Sequence, residues 1–250
     1  MNPPLNLLPG VDEAYVRDRL DRAGGGEIEN GKFHSPESSA ALAVNGLAWF
    51  NPAARRCLLP AIPGTEGLGW PASSVDVEAQ VRFPWRGGRH PWLDAVVRTE
   101  RAFIGIESKR REPFRDAKRV DLSPAYDRPV WGDQMRPFEA MRDALRVREP
   151  IFKHLDAAQL VKHAFGLVSE FVRHPERRPV LVYLYAEPSD VPAEAIAKHR
   201  DEVQRFDQAV RGAAVSFVSA RWDSWIDAWS ASPEPSVREH GRRVRERFDV

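Results

Sequence analysis

The sequence of 250 residues has only one cysteine, Cys57, and lacks long apolar runs. A single cysteine excludes an internal disulfide framework and a cysteine-based zinc cluster. No stretch approaches the roughly 18 consecutive apolar residues that a membrane-spanning helix needs. The short stretch Leu5-Asn6-Leu7-Leu8 has no basic segment before it, so it does not resemble a signal peptide. We therefore expect a cytoplasmic protein that does not act on a membrane.

An excess of either charge is also missing. Lysine and arginine number 37 against 36 aspartates and glutamates, which gives a formal net charge of +1. Such a chain does not bind a polyanion through bulk charge, so a nucleic acid would have to meet a local basic patch. The length suffices for one sizeable core and is short for two full domains.

Several common ligand-binding motifs are absent as well. The histidines show no metal-binding spacing, and there is no dinucleotide, Walker or Gly-x-Ser-x-Gly motif. Gly24-Gly25-Gly26 lacks the Gly-Lys-Ser/Thr of a phosphate loop and is typical of a linker. We expect residues 1–26 to form an N-terminal arm with a short helix. Residues 27–250 are expected to form a single domain with a C-terminal helical elaboration.

The pattern of apolar residues predicts the order of the main elements. A helix is predicted to begin near Ser35, with Pro36 in its first position and Glu37 in its first turn. The predicted strands and helices that follow cover residues 75–83, 93–98 and 102–109 (strands), 136–147 and 156–173 (helices), 179–186 (strand), 192–211 (helix), 213–219 (strand) and 223–230 (helix). Strict alternation in the first strand places all its valines on one face. This order predicts an α/β fold, a mixed sheet flanked by helices.

The segment that carries chemistry is the hairpin of residues 93–109. Glu107 and Lys109 are two apart on one strand, so their side chains leave the same face roughly 7 Å apart. A turn centred near residue 100 places Asp94 opposite residue 106, within one or two positions. Two carboxylates beside a lysine form a hard-oxygen site suited to Mg²⁺ or Mn²⁺.

Asp94, twelve intervening residues and Glu107-Ser108-Lys109 resemble the PD-(D/E)xK nuclease superfamily, whose fold is that of restriction endonucleases. That family's core of helix, three strands, helix and strand (α-β-β-β-α-β) is similar to the order predicted over residues 35–186. The resemblance implies that Asp94 and Glu107 bind a metal ion, that Ser108 lends its backbone carbonyl and that Lys109 orients the attacking water. The sequence departs from the family motif at the proline, because Pro91 lies three residues before Asp94 and not immediately before it.

The resemblance also implies supporting residues. A glutamate on the first core helix would be Glu37, with Glu29 as a rival. Gln159 matches a glutamine of some relatives, although His163 stands where they have a tyrosine. Glu78, on the first strand, could also reach the site. Taken alone, His163 is more typical of a hydrogen-bonded helix residue than of a ligand.

A local basic excess flanks this hairpin. Residues 82–119 contain eleven lysines and arginines against five aspartates and glutamates. The predicted phosphate-binding residues are Arg86, Arg89, Arg110 and Arg111. Trp85, His90 and Trp92 could contact sugar or bases. A solvated, arginine-rich loop is the alternative.

The sequence therefore predicts a divalent-metal-dependent nuclease that hydrolyses DNA phosphodiester bonds, with RNA left open as a substrate. A second interpretation is a catalytically inactive nucleic-acid-binding or scaffold protein that keeps the nuclease fold. In a third, a non-nuclease α/β protein, Glu107 merely pairs with Lys109 or Arg98. Cleavage of both strands of a duplex would suit a homodimer.

Overall fold

The computed structural model describes residues 5–24, 26, 28–35, 37–115, 118 and 120–250. Its strands form one sheet in the spatial order of the chain: β1 Ser74–Gln80, β2 Trp92–Arg98, β3 Ala102–Lys109, β4 Arg178–Tyr185 and β5 Ser216–Arg221. The first three strands pair antiparallel, whereas β3, β4 and β5 pair parallel. The predicted mixed α/β sheet is confirmed.

Helices cover both faces of the sheet. Within the described ranges they are α1 Glu13–Ala23, α2 Ser39–Leu47, α3 Ala53–Arg56, α4 Glu112–Arg115, α5 Arg136–Arg146, α6 Ala157–Arg173, α7 Ala193–Val210, α8 Trp222–Ser230 and α9 Pro235–Phe248. Short 3₁₀ turns lie at Lys32–His34, Ala48–Phe50, Pro124–Asp127 and Asp133–Met135. None of the helices in this part of the chain is long and apolar enough to cross a membrane.

Two apolar clusters hold the layers together. One face of the sheet packs against α1, α2, α8 and α9, and the other packs against α5, α6 and α7. Ile104 and Ile106 point to the first cluster, and Phe103 points to the second. Because both faces are covered, β3 and β4 are almost continuously apolar rather than alternating.

Strand β1 changes face halfway along its length. Val75 and Val77 lie in the cluster under α2, whereas Ala79 and Val81 lie in the cluster under α6. Glu78, between them, has a φ of 45°, in the left-handed region that non-glycine residues rarely adopt. The expectation that all the apolar residues of this strand share one face is wrong. One irregular residue shifts the two-residue period and turns the following side chains over.

Strand β2 shows the matching irregularity at Asp94. Leu93 lies in the α6 cluster and Ala95 in the α2 cluster, although regular alternation would put them on the same face. The pairing of β1 with β2, in which Val77 faces Ala95 and Ala79 faces Leu93, places Glu78 directly opposite Asp94. The first predicted carboxylate therefore lies where two neighbouring strands both depart from regular pleating.

Helix α2 begins later than the sequence predicts. The Ser38 hydroxyl accepts a hydrogen bond of 3.0 Å from the backbone N–H three residues on, so the helix starts at Ser39. Ser35, the predicted cap, instead accepts from the backbone N–H of Glu37 at 3.2 Å. The prediction for Pro36 falls outside the described residues. Glu37 consequently lies in a turn before the helix, not in its first turn.

Helix α6 approaches the sheet so closely that two contact positions, Gly105 and Gly166, have no room for a side chain. A Cβ added to Gly166 would lie 2.5 Å from Val81 Cγ2. A Cβ on Gly105 of β3 would lie 2.7 Å from Leu93 and 2.9 Å from Leu167 of α6. Gly105 lets Leu167 of α6 pack directly on β3, and Gly166 lets the helix approach Val81 and Pro91 beside the first two strands.

The described part of the predicted arm packs on the outer edge of β1. Val16 and Leu20 of α1 are buried in the α2 cluster. The Tyr15 hydroxyl accepts from the backbone N–H of Val77 at 3.1 Å, and Arg19 donates to the Val77 carbonyl at 2.8 Å. These bonds satisfy backbone groups that an edge strand would leave exposed. The division into an arm and a single domain stays a prediction.

Candidate active site

The β2–β3 hairpin brings the three predicted residues together. Ala95 lies opposite Ile106, so the same register puts Asp94 opposite Glu107. Asp94 Oδ2 accepts a hydrogen bond of 2.6 Å from the backbone N–H of Ser108. The turn geometry predicted from the sequence therefore places the two strands within one position of their actual register.

Glu107 is the most enclosed carboxylate of the site, with 2% of its surface exposed. Its Oε1 forms an ion pair with Lys109 Nζ, and its Oε2 lies 3.2 Å from Nδ1 of His163 in α6. Burial raises the pKa of Glu107, although the ammonium group of Lys109 opposes that shift. Glu107 is thus held between a cation on its own strand and an imidazole from the covering helix.

Lys109 lies among carboxylates, with 18% of its side chain exposed. Burial by itself would lower its pKa, but the charges of Glu107, Asp94 and Glu112 hold the pKa of Lys109 well above its usual value. The side chain is therefore a permanent ammonium group. It can donate hydrogen bonds and offset negative charge, but it cannot act as a general base.

Asp94 is the residue whose pKa is raised by burial and by its neighbouring carboxylate. Burial and the charge of Glu107 raise the pKa of Asp94 to about 8, against the opposing effects of Lys109 and the Ser108 N–H. Two carboxylates that converge away from water repel each other, and a divalent cation would relieve that repulsion. The donors that fit such a cation are the Asp94 and Glu107 carboxylates and the Ser108 carbonyl.

This donor set matches the preferences of Mg²⁺, which usually keeps several waters and takes one or two protein carboxylates. Within the described ranges, no group of three or more His, Cys, Asp or Glu is arranged to hold a metal ion. A cation at this site would therefore complete its coordination with water and substrate oxygens.

Glu112 of α4 lies in the same place, and nothing in the sequence pattern singled it out. Its Oε2 accepts hydrogen bonds from the Ser39 hydroxyl at 2.5 Å and from the backbone N–H groups of Arg110 and Arg111 at 3.2 and 3.1 Å. Burial alone would raise its pKa, but Lys109 and the Ser39 hydroxyl hold the pKa of Glu112 below its usual value. Glu112 therefore ties the end of β3 to the start of α2.

These groups open into a cavity of about 430 Å³, here called the polar pocket. It is lined by Lys32, Ser35, Glu37, Ser38, Ser39, Ala40, Asp94, Ser108, Lys109, Glu112 and Arg115. Glu37, predicted as a supporting glutamate, lines the pocket and forms an ion pair with Arg115. Its rival Glu29 is exposed and is not one of the lining residues.

The remaining predicted supporting residues lie around the pocket. Glu78 is 9% exposed and sits at the β1 irregularity opposite Asp94. Gln159, in the first turn of α6, lines a different cavity. The structure thus places Glu78 opposite Asp94 and Glu37 in the same pocket lining as Asp94, whereas Gln159 lines the cavity that His163 also lines.

The four predicted phosphate-binding arginines are in different surroundings. Arg86 and Arg89 are exposed in the loop between β1 and β2. Arg111 pairs with Asp190 at 2.9 Å. Arg110 is 5% exposed, and its guanidinium lies 5.9 Å from the centre of the Phe248 ring. Its burial does not favour the phosphate-binding role predicted for Arg110.

Ser108 contacts the tryptophan-rich helix α8. Trp222 Nε1 donates to the Ser108 hydroxyl at 3.1 Å, and Trp222, Trp225 and Trp229 are all fully buried. The hydroxyl of Ser108 therefore points into the core, while its backbone N–H holds Asp94. Both contacts hold the end of β3 in place.

A second cavity of about 590 Å³ lies on the α6 side of Glu107 and is here called the aromatic groove. Its lining includes Phe83, Trp85, Arg89, His90, Trp92, Asp121, Tyr126, Asp156, Gln159, Lys162 and His163. His163 lines this groove and also contacts Glu107. Glu107 itself lines neither cavity, but it pairs with Lys109 of the polar pocket, so it lies between a lining residue of each.

The five-stranded mixed sheet with helices on both faces is consistent with a restriction endonuclease-like fold. A family model described as "Restriction Endonuclease associating with ARP" matches residues 3–234, and the chain belongs to that family. The matched range includes all five strands and both cavities. Neither the curated proteins nor the solved structures gave a match.

Proposed function

We propose that the protein is a divalent-metal-dependent nuclease of the PD-(D/E)xK type that hydrolyses DNA phosphodiester bonds. The observation that carries this proposal is the convergence of Asp94 and Glu107 at the ends of two adjacent strands beside Lys109, with Asp94 and Lys109 lining the polar pocket. Membership of a restriction endonuclease family supports the same activity.

A purely structural ion pair accounts for less of the geometry. Glu107 and Lys109 do pair, as the third interpretation requires. A structural pair, however, does not require Asp94, whose pKa is raised to about 8 although its carboxylate faces the same lysine. A second carboxylate that destabilises the unliganded site is typical of a functional cluster, where stability is given up for binding or catalysis.

In the proposed site, the carboxylates of Asp94 and Glu107 and the carbonyl of Ser108 would hold Mg²⁺ or Mn²⁺. That ion supplies Lewis-acid stabilisation of the charge that develops on the phosphate. Lys109 donates hydrogen bonds to the attacking water or to a phosphate oxygen, since its raised pKa keeps it protonated. Glu112 positions Lys109 by bonding the backbone just after it.

The surrounding cations are proposed to hold the substrate backbone. Lys32 and Arg115 line the polar pocket itself, and Arg86 and Arg89 extend from the exposed β1–β2 loop. Contacts of this kind fix the register of a nucleic acid without reading its sequence. Sequence preference, if there is one, therefore has to come from elsewhere in the molecule.

A cleavage assay tests the proposal. Supercoiled plasmid and single-stranded DNA are incubated with Mg²⁺, Mn²⁺ or EDTA, with wild type beside Asp94→Asn. We expect metal-dependent cleavage that falls by at least about 100-fold in the variant, as for loss of one transition-state-stabilising group. Asp76→Asn is the matched control, because Asp76 lies on the adjacent strand and pairs with Arg98 at 2.9 Å. That control should cleave normally.

Three results would contradict the proposal in different ways. Cleavage that survives Asp94→Asn would place the active site elsewhere. DNA binding without cleavage under any metal would support the inactive, binding interpretation. No cleavage together with no Mn²⁺ binding by calorimetry would leave the cluster as a structural one.

A further inference from the structure

Three aromatic side chains that are only partly buried line the aromatic groove. They are Trp85, Trp92 and Tyr126. Trp85 stacks on Phe83 with ring centres 4.8 Å apart, and the Arg128 guanidinium lies 4.4 Å from the centre of the Trp85 ring. These contacts hold the Trp85 ring in place before any ligand arrives, which lowers the entropy cost of binding.

The charged groups of the groove nearly cancel. Arg89 and Lys162 are opposed by Asp121 and Asp156 in the same lining. Lys162 Nζ lies 4.0 Å from Asp121, and the Asp156 carboxylate caps α6 by accepting from the backbone N–H of Gln159 at 2.9 Å. A phosphate would find little net attraction here. The groove instead suits a neutral, flat group that can also form hydrogen bonds.

The position of the groove relates it to the proposed chemistry. His163 is part of its lining, and Nδ1 of His163 lies 3.2 Å from Glu107 Oε2. Trp92 lies two residues before Asp94 on β2. The groove is therefore connected to the polar pocket through Glu107, which contacts His163 on one side and Lys109 on the other.

We propose that the aromatic groove binds an unstacked nucleobase of the substrate, adjacent to the phosphate held in the polar pocket. This inference rests on the proposed nuclease function. A base within a duplex presents only its edges, whereas an unpaired or extruded base can slide between aromatic faces. The cavity of about 590 Å³ is within the size range of pockets for small molecules. The protein then prefers single-stranded DNA or a duplex with an extruded base.

The test measures binding without turnover. Wild type and Trp92→Leu are titrated in EDTA with three fluorescent probes of equal length: oligothymidylate, the same strand with abasic sites, and a duplex. Leucine keeps an apolar side chain but removes the ring face. Stacking is worth about 1–3 kcal/mol per base, so we expect Trp92→Leu to weaken oligothymidylate binding by about 5- to 100-fold. Binding of the abasic strand and of the duplex should change less than about 2-fold.

Two controls make the comparison specific. Trp70→Leu replaces another partly buried tryptophan, which bonds Thr65 rather than lining the groove, and should leave all three affinities unchanged. Arg86→Ala removes an exposed arginine from the groove's own loop and should weaken all three probes alike, because a phosphate contact does not distinguish bases. Unchanged urea midpoints show that the variants are folded.

If Trp92→Leu proves unfolded, Tyr126→Leu takes its place with the same expectation. The proposal is overturned if the folded variant binds oligothymidylate like wild type, or if it loses equal affinity for all three probes. Its failure is separable from failure of the nuclease proposal. Base-dependent binding in EDTA without any cleavage would support the groove alone, and cleavage without base-dependent binding would support the nuclease alone.

Discussion

Glu107 contacts one lining residue of each cavity, Lys109 of the polar pocket and His163 of the aromatic groove, and the two cavities are built in opposite ways. In the polar pocket, ionisable groups face one another and are held by hydrogen bonds from distant segments, as Glu112 is by Ser39. In the aromatic groove, rings pack on rings and the charges cancel. Assembling the polar pocket lowers stability because charged groups are buried there, whereas the rings of the aromatic groove stabilise the core. We propose that the first carries the chemistry and the second selects the substrate.

The difference shows where the fold carries strain and where it does not. Burial and the charge of Glu107 raise the pKa of Asp94, and burial raises the pKa of Glu107, so a pocket built from these charged groups is less stable than an uncharged one would be. Stacked aromatic side chains carry no such penalty and contribute to the core. We therefore expect substitutions in the pocket to change chemistry and pH dependence, and substitutions in the groove to change preference among substrates.

The largest expected effect is a difference in cleavage rate between substitutions of Lys109 in the polar pocket and Lys162 in the aromatic groove. Lys109→Ala should lower the cleavage rate by about 100- to 1,000-fold, because the ammonium group that stabilises the transition state is lost. Mn²⁺ binding, measured by calorimetry, should persist because Asp94 and Glu107 remain. Lys162→Ala removes the matching charge from the aromatic groove and should change the rate less than about 5-fold, since that charge already faces Asp121. A larger effect of Lys162→Ala would break the comparison.

An intermediate effect concerns the hydrogen bonds that build the polar pocket. Glu112→Gln should lower the free energy of unfolding by about 1–2 kcal/mol, because charge-assisted bonds to Ser39 and two backbone N–H groups become neutral ones. Urea denaturation at pH 7 measures this. Glu149→Gln, on an exposed glutamate, is the control and should stay within about 0.5 kcal/mol of wild type. Equal stability of the two variants would show that Glu112 does not hold the pocket together.

The smallest effect is a pH dependence in EDTA. The folded-state pKa of Asp94 is about 8, above the value of about 3.9 in an unfolded chain. Between these values the folded state binds more protons than the unfolded state, so stability falls as pH rises. Asp94→Asn removes this contribution and should flatten the decline of stability between pH 5 and 8. Asp76→Asn should run parallel to wild type. A slope unaffected by Asp94→Asn would mean that the carboxylates do not repel.

The core of the site was predictable because it depends on one hairpin. The turn near residue 100 sets the pairing of β2 with β3, and that pairing alone brings Asp94 to Glu107. Strand alternation then puts Lys109 on the same face as Glu107. The predicted order of helices and strands also agrees with the structure, since periodicity is a property of each segment by itself.

Other parts of the site could not be predicted from such patterns. Glu112 and Ser39 are 73 residues apart, and no local rule connects them. The exchange of faces at Glu78 was hidden because Val75, Val77, Ala79 and Val81 alternate as a regular strand would. In the sequence His163 is typical of an ordinary helix residue, and its contact with Glu107 depends on how α6 packs on the sheet.

By itself the sequence determined the α/β order, the antiparallel hairpin and the meeting of Asp94, Glu107 and Lys109, because each follows from spacing along a short stretch of chain. Only the tertiary structure decided that Gly105 and Gly166 let α6 pack closely on the sheet, where His163 contacts Glu107. The polar pocket and the aromatic groove exist because segments remote in sequence pack around that carboxylate. Such contacts depend on the shapes of both partners at once, which no single segment encodes.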